Sequence, residues 1–251
     1  MPARNSMSLK GIFPRLMSSI ILGVKIDSLA MSETFKKVER FMIDGKQHYI
    51  VTANPEFLVQ AQKDDEFKNI LNQADLAICD GIGLIFASWF LGRPLKHRIT
   101  GIDLMEKICY LASRKNWPVF LLGGRGGVAE KAVENLKRKY LSLQIQTLSV
   151  SKDTLPFLDN LQPSILFVAF GAPKQEKWIA ENLEKIPLIK LAMGVGGAFD
   201  FIAGQVSRAP KILRILGLEW FWRLIQEPWR VKRIFRAIVV FPWLVIKSKF
   251  N

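Results

Sequence analysis

Short apolar, β-branched runs alternate along this chain with longer segments in which apolar and charged residues are spaced for a helix. The apolar runs predict strands at Ile20–Ile26, His48–Thr52, Leu76–Cys79, Val119–Gly123, Ser142–Ser149, Ile165–Phe170 and Leu188–Val195. The intervening segments predict helices at Ser28–Ile43, Pro55–Lys63, Gly83–Phe90, Gly101–Asn116, Val128–Tyr140 and Lys174–Glu184. Buried strands alternating with helices are the mark of βαβ units. The expected fold class is therefore α/β: a Rossmann-like, mostly parallel sheet with helices on both faces. No internal repeat or low-complexity linker breaks the alternation, which stops near Ser207. The expected organisation is an N-terminal extension over 1–19, a Rossmann-like domain over 20–207, and a C-terminal basic amphipathic appendage over 208–251.

At 251 residues the chain suits one α/β domain with an attached segment. Charge changes the picture mainly in that segment. From Arg208 to Asn251 ten Lys/Arg face two acids, Glu219 and Glu227, a surplus of +8 out of the chain's +14. Four of the seven tryptophans (Trp220, Trp222, Trp229, Trp243) lie there too. Cations interleaved with amphipathic rings suit anionic headgroups over an apolar layer, so an anionic membrane surface is the expected partner. The charge balance before Ser207 is milder and the tract carries no nucleic-acid motif, so no nucleic-acid partner is expected. The longest apolar runs, Ile20–Val24 and Ala237–Ile246, fall far short of the roughly 20 residues of a membrane span. The first reads as a strand, the second as an interfacial or packed helix. No cleavage site follows Arg4, Lys10 and Arg15, which argues against a signal peptide. Cys79 and Cys109 sit in apolar contexts without metal or redox spacing, as in a reduced cytosolic protein.

Ligands of open α/β sheets bind beyond the carboxyl ends of the strands, and several predicted strand ends here are polar. Thr52-Ala53-Asn54-Pro55-Glu56 puts Thr52 and Asn54 at the rim, although Asn54 followed by Pro55 also reads as a helix cap. Asp80 directly follows a buried strand and stands among glycines, in Cys79-Asp80-Gly81-Ile82-Gly83. It could act as a general base toward a hydroxyl, hold a ribose, or cap the helix starting near Gly83. In the loop Arg93–Asp103, Arg98 could clamp a phosphate or carboxylate, and His97 reads as a solvated loop residue. Gly123 and Gly124 open a glycine turn before the helix at Val128, a place where backbone N–H groups can approach a nucleotide diphosphate. Gly171-Ala172-Pro173 leads into a helix whose first turn offers Lys174, Gln175 and Glu176 to sugar hydroxyls or phosphate. Gly196, in the turn Gly194–Phe201, is a further substrate-site candidate. The chain lacks an Asp-X-Asp triplet and any His/Cys cluster, so neither a metal site nor a cofactor is expected.

Six motifs occur here in one order: Thr52–Glu56, Asp80–Gly83, Arg98–Asp103, Gly171–Glu176, Gly194–Asp200, and Arg208-Ala209-Pro210 through Glu219-Trp220, Arg223, Glu227-Pro228, Arg230 and Arg233. Together they resemble the WecG/TagA/CpsF glycosyltransferases, over essentially everything from Ile20 to Arg236. The resemblance implies transfer of a sugar, N-acetylmannosamine or its uronic acid, from a UDP-sugar donor to a polyprenyl-diphosphate-linked GlcNAc acceptor. It implies inversion at the anomeric carbon without a metal, at the cytoplasmic face of the plasma membrane, by a peripheral protein. Asp80 matches the family's proposed base, and Thr52, Asn54, Arg98 and Gln175 match substrate-site positions. Arg214, Arg223, Arg230 and Arg233 map onto arginines that the family's appendage brings over the diphosphate. The chain departs from the pattern before Ile20 and after Arg236.

The residues carry the same chemistry by themselves. Inverting transfer needs a base for the acceptor hydroxyl and positive charge for the departing UDP. Arg223 and Arg230, seven residues apart, share one helical face. Two other readings stand beside this one. A nucleotide-dependent oxidoreductase on the Gly123–Gly127 turn lacks the acidic ribose ligand about twenty positions on, where the residues near Gln144 are polar but not acidic. A non-catalytic lipid-binding module would release no UDP. Rossmann-like domains of this kind often pair, so a homo-oligomer is among the expected states, with the appendage competing for the pairing surface.

Overall fold

A computed structural model describes residues 18–148 and 164–250. Eight strands form a single sheet in these residues: β1 Ser18–Ile21, β2 Val24–Asp27, β3 His48–Ala53, β4 Leu76–Cys79, β5 Val119–Gly123, β6 Ile145–Leu148, β7 Ile165–Ala169 and β8 Leu191–Gly194. Their spatial order is β1-β2-β4-β3-β8-β7-β5-β6. Every pairing is parallel except β1 with β2.

The expected strand Ile20–Ile26 is instead a hairpin, β1–β2, turned at Leu22 and Gly23, whose φ values are +51° and +76°. Two central residues with positive φ match the right-handed twist of a tight hairpin. Gly adopts this conformation freely, whereas Leu22 needs outside support. Support comes from the side-chain amides of Gln62 and Asn72, which donate to the carbonyls of Leu22 and Gly23, each at 2.9 Å. Asn72 belongs to Asp65–Gln73, a helix the sequence reading overlooked. The expected helix Pro55–Lys63 ends at Ala61, and Asp64 then caps the new helix by accepting from the Phe67 N–H at 3.0 Å. The expected strand Ser142–Ser149 is shorter, starting at Ile145, and Ser149 lies outside the described residues.

Alternate strand residues go to opposite faces, and both faces are covered. Ile50, Ile78, Leu121, Phe167 and Met193 pack with the helices Met31–Phe41, Gly101–Lys115 and Val128–Lys139. Val51, Ala53 and Cys79 pack on the other face with Pro55–Ala61, Asp65–Gln73 and Ile82–Phe90. Further along that face Phe120, Leu122, Val168 and Ala192 pack with Ile179 of the helix Lys174–Asn182. Burial on two sides is why these strands are continuously apolar rather than alternating.

The basic segment begins with the short helices Lys211–Ile215 and Glu219–Gln226. It ends in one helical run from Val231 to Phe250, with a π-helical turn at Arg236–Val240. Phe241 and Val245 of this run are buried in the same cluster as Phe57, Leu58 and Leu84. Burying such a side chain contributes about 1.5–3 kcal/mol. The tail is thus part of the core. Among the described residues, no helix is long and apolar enough to cross a membrane.

Candidate active site

The chain passes from β3 outward to β4, whereas β5, β7 and β8 lie on the other side of β3. A crevice therefore opens over the carboxyl ends of β3 and β8, the switch point where such sheets hold ligands. It forms a cavity of about 1110 Å³ floored by strand ends and roofed by the basic segment. Thr52, Asn54, Asp80, Arg98, Gly124, Gln175, Gly196, Arg223, Arg230 and Arg233 all line it. Residues scattered over 182 positions of sequence thus meet in one space. Gly123 and Arg214 do not line it.

Asp80 extends β4 by one residue, its N–H donating to the Ala53 carbonyl at 2.8 Å. Its carboxylate does not cap the helix Ile82–Phe90, whose N-cap is Gly81 without a side-chain cap. Instead Oδ2 accepts from the Gly101 N–H at 2.8 Å, at the start of the helix Gly101–Lys115. Glycine lets the chain approach closely there: a Cβ would lie 3.1 Å from Thr52 Cγ2 and 3.3 Å from Asp80 Oδ2, and both would have to give way slightly. Burial pushes the Asp80 carboxyl up to about 6, with Glu219 and Asp103 adding to the rise and the Gly101 N–H and Arg98 opposing it. The result is a carboxylate that is ionised at neutral pH yet more basic than an ordinary aspartate, which suits a general base.

Asn54 is committed to the backbone through one atom: its Oδ1 caps the helix Pro55–Ala61, accepting from the Phe57 N–H at 3.1 Å. Thr52 is buried and donates to the Gly194 carbonyl at 3.2 Å, joining the ends of β3 and β8. Gln175 is also buried, and its Oε1 accepts from Gly171 N–H at 3.1 Å and Gly196 N–H at 3.0 Å. One amide thus pins the loops after β7 and β8. Its Nε2 donates to Glu176 at 2.6 Å, and burial pushes the Glu176 carboxyl up to about 7. Both side chains press on Gly194, where a Cβ would come within 2.7 Å of each.

The glycine turn after β5 divides its tasks. Gly123 has φ +93° and abuts the Phe170 ring, so its role is close packing. Gly124 and Arg125 face the cavity. Arg125 lies inside the turn Gly123–Gly127 and was not singled out by the sequence reading. A cation flanked by two glycines on each side, with no acid nearby in sequence, was the available signal.

Each cavity-lining arginine of the basic segment is held by an acid. Arg223 pairs with Asp200 at 3.1 Å and with Glu227, and lies over the Phe201 ring at 4.5 Å. Arg230 pairs with the same Glu227 at 2.7 Å, and Arg233 with Glu56 at 2.7 Å. Burial opposes ionisation of Glu227, but its two arginines hold its pKa below the usual range. Three acids, Asp200, Glu227 and Glu56, thus match the three guanidiniums, which this wall offers as fixed hydrogen-bond donors rather than as surplus charge. Among the described residues Arg98 pairs with no carboxylate: its Nη2 donates to the Arg214 carbonyl at 2.7 Å. Arg214 therefore contributes through its backbone. Arg208 fastens the start of the segment to Asp103 at 2.7 Å. These acids were missed as partners, because Glu56, Asp200, Glu219 and Glu227 enter the sequence reading only within motifs or as deductions from net charge. Among the described residues no group of three or more His, Cys, Asp or Glu could hold a metal ion.

Similar proteins carry a named activity. The chain is 33% identical over 236 residues to the N-acetylglucosaminyldiphosphoundecaprenol N-acetyl-beta-D-mannosaminyltransferases of Staphylococcus aureus strains MRSA252, MW2 and NCTC 8325, covering 91% of this chain and 92% of each relative. The match to a family runs from residue 19 to 251, so the tail after Arg236, expected to depart from the pattern, lies within it. The chain belongs to the WecG/TagA/CpsF family of glycosyl transferases.

Proposed function

We propose that this glycosyltransferase moves N-acetylmannosamine from UDP to GlcNAc-diphospho-undecaprenol, with inversion and without a metal. The observation that carries the reading is the juxtaposition, in one cavity, of Asp80 with the arginines of the basic segment. Asp80 takes the proton from the acceptor hydroxyl. The oxygen attacks the anomeric carbon as its bond to UDP breaks, and UDP leaves with the electron pair. Arg223, Arg230 and Arg233 receive that charge, and Arg98 and Arg125 line the same cavity. Pre-placed donors and cations act strongly on charge that develops in the transition state. Gln175 holds the Gly171 and Gly196 loops in place around the sugar. Transfer to a lipid-linked acceptor leaves no role for an oxidoreductase turn at Gly123–Gly127.

Release of UDP from a panel of UDP-sugars, assayed with the lipid-linked acceptor in excess EDTA, tests this reading. UDP-N-acetylmannosamine is expected to be the best donor at undiminished rate. Preference for its uronic acid or for UDP-glucose would overturn the choice of sugar, and rescue by Mg²⁺ after chelation would overturn the arginine mechanism.

The same reading places the protein at the cytoplasmic surface of the plasma membrane. Its support is the basic segment's exposed face, with Ile212 71%, Ile215 82% and Trp229 72% exposed beside Lys211, Lys232 and Arg236. The chain is expected to sediment with anionic vesicles and to be released by high salt. Each basic residue near such a surface contributes about 1 kcal/mol, and salt screens that attraction. Salt-insensitive sedimentation would point to apolar insertion alone.

A further inference from the structure

The cavity is not uniform. Its polar part lies under Arg230 and Arg233, and from there an apolar arm runs along the C-terminal helical run. Ile234, Ile238, Pro242 and Ile246 line that arm at steps of four residues, so they form one stripe on a helical face. Phe86 and Phe90, also four apart, line the opposite wall from the helix Ile82–Phe90. From Arg233 to Ile246 the stripe extends roughly 20 Å at helical rise. Phe86 and Ile238 remain 66% and 45% exposed, although Phe241 and Val245 on the same run are buried. Apolar side chains held open along a cavity wall lose the stabilisation of burial unless a ligand covers them.

One wall therefore passes from guanidinium to hydrocarbon along a single helix. That gradient matches an amphiphile with a diphosphate head and a long hydrocarbon chain, and it matches neither a nucleotide nor a free sugar. At the far end Lys249 Nζ stands 4.1 Å over the Phe90 ring, and Lys247 Nζ 5.5 Å over the exposed Trp243 ring. Tryptophan and lysine together are what anchors a protein at a headgroup layer, so the chain would leave the arm where it meets the bilayer.

We infer that the groove between the helix Ile82–Phe90 and the run Val231–Phe250 is the binding site for the first isoprene units of the acceptor's polyprenyl chain. The inference rests on the acceptor class proposed above. It makes acceptor recognition partly a matter of hydrocarbon length, through Phe86, Phe90, Ile238 and Ile246, and not only of the sugar and diphosphate.

Two measurements decide it. In neutral detergent micelles without anionic lipid, the wild type is expected to show a KM for a polyprenyl-diphosphate-GlcNAc acceptor about tenfold or more below that for a short-alkyl analogue, the usual worth of one well-filled apolar contact. Ile238→Asn and Phe86→Asn, at exposed positions, are expected to collapse that preference toward unity. Independently of turnover, a short polyprenyl diphosphate tipped with benzophenone is expected to crosslink to the helix Ile82–Phe90 or to the run Val231–Phe250. Equal KM values for both acceptors in the wild type, or crosslinks confined to other elements, would overturn the arm. Weakened vesicle binding in the two variants with the acceptor preference intact would reassign these side chains to membrane contact and overturn it as well. Crosslinks within the arm in an enzyme that transfers no sugar would sink the proposed reaction and leave the arm standing.

Discussion

Asp80→Asn is expected to lower kcat by about 10²–10⁴-fold, the usual loss when a general base is removed, with little change in KM. That corresponds to roughly 3–5 kcal/mol of transition-state stabilisation. The wild-type profile supplies a second readout. With the carboxyl held up at about 6, the base is protonated below that pH and ionised above it. kcat/KM should therefore fall as pH drops through about 6, and that acid limb should vanish from the residual activity of the variant. Stability should move the other way. A carboxyl whose folded-state value is raised from 3.8 binds its proton more tightly when folded, so its ionised form destabilises the fold, fully so above about 6. Asn carries no charge, and its Oδ1 can still accept from the Gly101 N–H. Thermal melting at neutral pH should show Tm unchanged or raised, which separates a lost base from a damaged site. Near wild-type turnover in the variant would remove Asp80 from this role.

Much of this arrangement was legible in the chain because the buried strands Leu76–Cys79 and Val119–Gly123 are bounded by glycine or a charge, and both appear at the expected positions. The hairpin at Leu22-Gly23 was not, because a leucine with positive φ is disfavoured locally and is held by Gln62 and Asn72, some 40 and 50 positions away. The site shows the same division. Motif residues such as Asp80 and Gln175 could be named from sequence, but their partners could not. That Asp80 rests on Gly101 rather than capping the next helix, or that Gln175 spans the two loops at Gly171 and Gly196, depends on where separate strands end in space. The tail is the clearest case. Ala237–Ile246 reads equally as an interfacial or a packed helix, and Phe241 and Val245 decide it by burying themselves against Leu58 and Leu84 while Trp243 stays exposed.

That packing determines how the roof of the cavity should be tested. Deleting the whole segment after Ser207 would strip Phe241 and Val245 from the core, and loss of activity would then report on folding as much as on chemistry. Point substitutions avoid this. Arg230→Ala is expected to lower kcat by about 10²-fold, the scale of removing one pre-placed donor from developing charge. Glu227 keeps Arg223 as its partner in that variant, so no carboxylate is left buried alone and Tm should change little. Arg223→Ala should cost at least as much activity. It also frees Asp200 and uncovers the Phe201 ring, so some loss of Tm should accompany it. The decisive condition is a short, water-soluble acceptor that needs no membrane. If the arginines stabilise departing UDP, both variants fail on it as they do on the lipid-linked acceptor. If they fail only on acceptor embedded in vesicles, the segment serves as an anchor, and the charge that receives UDP must come from Arg98 and Arg125, which line the same cavity.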